Sequence, residues 1–186
     1  MTSTAVLTTP PPAPARPAAP APLRLEPASV RPARVAVEAR PRRSRRPLTA
    51  REVQVLSLIA DGMTNEEVAK QLGIARHTVK SHMAHILDAL GAQNSAHAVA
   101  IAHCRGQIEP RRRIPWNGDV SYREVQVLEG VAVGMTDLQI GRKLWVSQHT
   151  IKSHLRRIYG KLGVCSRAQA VDTAFRSGLL VVRRPH

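Results

Sequence analysis

An all-α fold of two tandem four-helix units is what this 186-residue sequence predicts, and three observations predict it. The first is an internal duplication. REVQVL at Arg51–Leu56 returns at Arg123–Leu128, and Gly62-Met63-Thr64 returns as Gly134-Met135-Thr136. His77-Thr78-Val79-Lys80-Ser81-His82 likewise returns as His149-Thr150-Ile151-Lys152-Ser153-His154. The offset, 123 − 51 = 72 residues, holds without a gap, as expected when one small unit has been copied. The second observation is a set of helix-start signals, each followed by apolar residues at helical spacing. The third is composition: aromatic residues make up 3% and much of the 43% hydrophobic content is Ala, so the cores are small and aliphatic and suit helices better than sheets.

Each element follows from these signals. Thr49 with Glu52 three residues on forms a capping box for a first helix, whose inward face is Glu52, Val55, Leu56, Ile59 and Ala60. Gly62 stops it. Thr64 with Glu67 opens a second helix that buries Val68, Ala69 and Leu72. A short turn at Gly73-Ile74-Ala75 leads to a third helix over Arg76 to Leu90, with Val79, His82, Met83, Ile86 and Leu90 inward and Gly91 as its end. A fourth covers roughly Ser95 to Cys104 and buries Ala98, Ile101 and Ala102. The second unit repeats the plan. Ser121 with Glu124 starts helix one, Thr136 starts helix two, helix three runs over Gln148 to Leu162, and helix four over about Ser166 to Arg176. The boundaries are therefore an arm at 1–47, a first unit at 48–105, a basic linker at 106–119 and a second unit at 120–180.

The arm is rich in Pro, Ala and Arg, with nine arginines against Glu26 and Glu38. Frequent proline removes backbone donors, so neither helix nor sheet should persist, and the arm reads as disordered or as a basic strap along DNA phosphates. The linker carries Arg111-Arg112-Arg113. The net charge of +15 implies an acidic polymer as partner, with double-stranded DNA the leading candidate. Cys104 and Cys165 are far apart and not equivalent in the repeat, so they read as reduced, partly buried thiols with no zinc site. His77, His82 and His85 lack a carboxylate or cysteine to complete a metal site, and His82 and His154 read as packing residues. No apolar run is long enough for a bilayer, and no hydrophobic stretch follows the paired arginines at 42–46, so a cytoplasmic, nucleoid-associated protein is expected.

A helix-turn-helix needs a very small residue where two helices touch and apolar residues where they meet. Ala69 supplies the first, and Val68, Leu72, Ile74 and Val79 the second. In the second unit these become Gly141, Ile140, Leu144, Val146 and Ile151. With the words RExxVL, GMT, HT[VI]KSH and LG, each unit resembles the DNA-binding domain of the LuxR-type (GerE- or NarL-type) bacterial transcription regulators. The resemblance covers about two thirds of the chain and implies that the third helix of each unit enters the major groove. It places Lys80, Ser81 and Ala84 of the first unit, and Lys152, Ser153 and Arg156 of the second, at base-facing positions. It gives Thr78 and Thr150 a phosphate contact or a helix cap. Lys and Arg donate to guanine O6 and N7, and Ser donates or accepts at a base edge.

The second unit reads as the better equipped. It has Arg156, Arg157 and Lys161 where the first has Ala84, His85 and Ala89. It also has Arg167 where the family often places a phosphate-contacting arginine. Gly141 and Gly160 should weaken its helices by roughly 1 kcal/mol each relative to Ala, and Trp145, opposite Gly73, has no assignable role from sequence. The expected function is a sequence-specific transcription regulator reading a two-part site as a covalent pseudo-dimer, with a homodimer a further arrangement. The competing classes are a nonspecific architectural DNA-binding protein and a polymerase-contact module resembling sigma region four, with RNA polymerase as partner. No phosphate-cradling loop, nucleophile–base pair or metal set appears, so neither an enzyme nor a cofactor is expected.

Overall fold

A computed structural model describes residues 33–35, 46–108, 114 and 120–182. The sequence readings for the remainder of the arm, and for Arg111 to Arg113, lie outside the described residues. The order of elements is β1 (Ala33–Val35), α1 (Ala50–Ala60), α2 (Asn65–Leu72), α3 (Arg76–Leu90), α4 (Ser95–Arg105), α5 (Tyr122–Ala132), α6 (Asp137–Leu144), α7 (Gln148–Leu162), α8 (Arg167–Arg176) and β2 (Leu180–Val182). The two-unit, four-helix plan is therefore present, and the expected bounds of both third helices coincide with α3 and α7.

Local chemistry sets most helix starts. Thr49, Thr64, Ser121 and Thr136 each accept from the amide three residues on, and Glu52, Glu67, Glu124 and Gln139 reach back to complete the box. The duplicated arginine of REVQVL has a structural task that its charge alone does not disclose. Arg51 donates to the Leu72 carbonyl at 2.9 Å, and Arg123 to the Leu144 carbonyl at 2.7 Å. Each guanidinium thus closes the C-terminal end of the neighbouring helix, where carbonyls are otherwise unpartnered and a positive charge suits the helix dipole.

The two units share one hydrophobic core. Helix α4 was expected to bury one face, yet all of Ala96 to Ala102 is buried, because α8 packs against it from the other side. Equivalent residues meet across this seam. His103 and Phe175, which are 72 apart in the chain, stack with ring centroids 5.1 Å apart. Gln93 N donates to His97 Nδ1, and its counterpart Cys165 N donates to Gln169 Oε1. A Cβ on Gly134 would sit 2.8 Å from His97 Nδ1, and one on Gly62 would sit 2.5 Å from Gln169 Oε1. The packing is thus pseudo-twofold, and the glycine of each GMT word admits the other unit as well as ending a helix. Both are at positive φ, +92° and +83°, where a side chain is strained. Asn94 Nδ2 donates to the Gly134 carbonyl at 2.9 Å, and His103 Nε2 lies 2.9 Å from Asp172 Oδ1, with Arg176 on the other oxygen.

The arm departs from its reading as disordered, and the linker is tied to the core. Within the arm, Ala33–Val35 forms a strand that pairs in parallel with β2, in the register Ala33 with Leu180 through Val35 with Val182, and lies against α5. Three extended residues beside a partner edge find the ladder partners that the proline-rich sequence itself lacks. The linker is anchored at its ends: Ile108 and Val120 are buried, and Ile114 N donates to the Arg176 carbonyl.

Candidate nucleic-acid interface

Two helix-turn-helix pairs, α2–α3 and α6–α7, are built alike. The buried anchors Val79 and Ile151 fix the third helices from beneath. The crossing point holds Ala69 in the first unit and Gly141 in the second, where an added Cβ would meet the Val146 carbonyl at 2.7 Å. The second unit has closed more tightly on its smaller residue. A similar exchange of volume occurs higher up: Gly130 makes room for Ile140, where the first unit has Leu58 and Val68.

The exposed face of α7 carries Lys152, Arg156 and Arg157, none of them in an ion pair among the described residues. The exposed face of α3 presents Lys80, Ser81 and Ala84, with His77, His85 and Asp88. The positions that the resemblance implies to be base-facing thus lie together on each helix, within about one turn, and Ala84 leaves α3 the less basic of the two. Ser153 is half-buried, and it and Ser81 donate back to the His149 and His77 carbonyls at 3.2 Å. Their protons are occupied, so each oxygen is left as an acceptor.

Thr78 and Thr150 do not cap their helices. Ser147 is the cap of α7 and accepts from Thr150 N, with its hydroxyl 2.9 Å from that of Thr150. Helix α3 begins at Ala75 with no side-chain cap. Arg167 is half-buried and engaged within the fold. It pairs with Asp137 and donates to the Met135 carbonyl at 2.8 Å, tying the start of α8 to the start of α6. Lys161, counted with the basic face from sequence, bonds Glu124 at 2.7 Å.

That bond belongs to a matched pair of buried carboxylates. Glu52 and Glu124 are each about 3% exposed. Arg46 holds the Glu52 carboxyl down at about 2, helped by Thr49 and opposed by burial. Burial pulls Glu124 up, but Lys161 and Ser121 outweigh it and hold the group below its ordinary value. The cation comes from before the first unit in one case and from α7 in the other. His82 and His154 are half-buried. Cys104 is partly buried and its thiol is pushed up to about 11 by burial, whereas Cys165 is exposed, contrary to the expectation for it. Among the described residues no cluster of three metal-ligating side chains occurs, and no helix is long and apolar enough to cross a membrane.

The sequence pattern of the bacterial regulatory proteins, luxR family, matches residues 46–102 and 119–174, together more than half of the chain. The chain belongs to the luxR family. Its relatives include an HTH-type transcriptional regulator of Mycobacterium bovis, 37% identical over 87 residues (47% of this chain, 10% of the relative). The transcriptional regulatory protein SgaR of Hyphomicrobium methylovorum is 48% identical over 54 residues (29% of this chain, 26% of the relative). NarL of Mycobacterium tuberculosis is 35% identical over 95 residues (51% of this chain, 44% of the relative). The chain thus spans between a tenth and under half of the length of these regulators. No solved structure matches it. As a luxR-family protein it holds the family's domain twice.

Proposed function

We propose that the chain is a sequence-specific DNA-binding transcription regulator that reads a two-part site as a covalent pseudo-dimer. One observation carries the reading: the α4–α8 packing relates α3 to α7 by a pseudo-twofold, so two exposed helix faces of unequal basicity belong to one packed body. A twofold-related pair of recognition helices reads inverted half-sites. Here the halves differ. Arg156 can donate bidentately to guanine O6 and N7 where Ala84 offers only a methyl, which suits the thymine C5-methyl group. Ser81 and Ser153, left as acceptors, suit adenine N6 or cytosine N4. Lys80 and Lys152 each supply an ammonium donor group, Arg157 contacts phosphate, and Thr78 and Thr150 line the start of each groove contact. Arg167 acts one step back, by holding α6 against α8.

Footprinting of the intact chain over bacterial promoter fragments tests the reading. Protection of two adjacent half-sites in inverted orientation, with different base preferences, is the expected result. Uniform coating, with no more than a few-fold preference over competitor DNA at a stated salt concentration, would favour the architectural alternative. Association with RNA polymerase without protection of DNA would favour the polymerase-contact module. Lys152→Ala and Arg156→Ala should each weaken binding by about 1–3 kcal/mol, as expected for base contacts, and Lys80→Ala by less.

A further inference from the structure

We propose that the Trp145 indole is a DNA-backbone contact, lying against the sugar–phosphate wall at the mouth of the groove that α7 enters. The proposal deepens the DNA reading above and rests on it. Trp145 ends α6 with φ 57° and ψ 41°, and among the described residues it is the one non-glycine at positive φ. The first unit has Gly73 at this place, with φ 63° and ψ 35°. The turn therefore needs the left-handed conformation in both units, and only the second forces a bulky side chain into it. No burial of the indole offsets that strain, because Trp145 is 93% exposed. A strained, uncovered aromatic is better accounted for by a contact outside the chain than by stability.

Its surroundings select the occupant. Trp145 lies two residues before Ser147, the cap of α7, and so beside the end of that helix whose exposed face carries Lys152, Arg156 and Arg157. Arg142 and Lys143, the preceding exposed side chains, add two further positive charges. An anionic surface fits this setting, and an indole against deoxyribose flanked by cations on phosphates is a contact that duplex DNA offers at every sequence. The first unit has Gly73 with Lys70 and Gln71 at the matching places, so the contact would belong to the second unit alone.

The experiment uses the full chain with Trp116→Phe, which leaves Trp145 as its one tryptophan, and a mixed-sequence duplex of about 30 base pairs at several salt concentrations. Titration should quench the emission and shift it to the blue. Trp145→Gly should keep or raise the thermal midpoint, since glycine already occupies the matching turn. It should weaken binding by roughly fivefold, the equivalent of withdrawing about 40 Å² of apolar surface from water. No charge is removed, so the slope of log affinity against log salt should not change. Unaltered affinity in Trp145→Gly, or emission indifferent to bound duplex, overturns the contact while leaving the DNA reading intact. Emission that responds to RNA polymerase and not to duplex assigns the surface to a protein and overturns it equally. A parent chain that binds no duplex at any salt removes the DNA reading, and this contact with it.

Discussion

Glu52 and Glu124 show how one residue type at one repeat position can be kept by different means. Both are buried carboxylates that complete a capping box, and both need a cation to remain charged. The first takes it from Arg46 and the second from Lys161. Because both carboxyls lie below their ordinary value in the folded chain, their contribution is complete above the unfolded value of about 4.5 and is lost as pH falls through the folded one. Acid unfolding should therefore gain a component between pH 4.5 and about 2 from Glu52. Arg46→Ala should move that component toward higher pH, as followed by circular dichroism during acid titration. The two glycines of the second unit should also part company. Gly160 has open space around it, so Gly160→Ala should stabilise by roughly 1 kcal/mol. Gly141→Ala should instead destabilise, because the new methyl meets the Val146 carbonyl and overpacking costs about 1–3 kcal/mol. Thermal denaturation of the pair decides the signs. Sequence gave equal weight to both, since a helix-propensity argument does not see what lies across the turn.

At the scale of elements, α3 and α7 are near copies in length and seating but not in how they begin. Helix α7 has Ser147 as its cap and α3 has Ala75. Ala75→Ser should stabilise the first unit by about 0.5–2 kcal/mol, and Ser147→Ala should cost the second a similar amount. A calorimetric midpoint that falls in Ala75→Ser would contradict this account of the helix start. The end of α3 at Gly91 was legible in the sequence because a glycine stop is local, whereas its uncapped start was read from the turn before it. The task of Arg51 and Arg123 was not legible there. Each reaches a carbonyl 21 residues ahead, and only the angle between neighbouring helices brings the two together. The same limit applies to Arg167 and Lys161, which are basic surface residues in a sequence and ion-pair partners in the fold.

For the whole molecule, the seam formed by α4 and α8 decides how the two units behave. With one continuous core, the described body should unfold in a single transition in denaturant. Gly134→Val strains a left-handed position and drives a side chain into His97, so it should split that transition into two as the units part. A single transition with an unchanged slope in that variant would mean that the seam contributes little to cooperativity. The linker, read from sequence only as basic, is held at both sides, since Ile108 near its start and Val120 just beyond it are fixed in the core.

The sequence by itself determined the duplication, the helical class, the helix-turn-helix in each copy and the residues on the exposed face of each third helix. These depend on periodicity and on caps, which act over one or two turns of chain. Only the tertiary structure decided that the copies share a core through α4 and α8, that β1 pairs with β2, and that Trp145 stands strained and uncovered. Those outcomes depend on which surfaces meet across 40 to 150 residues of chain, and no local pattern carries that information.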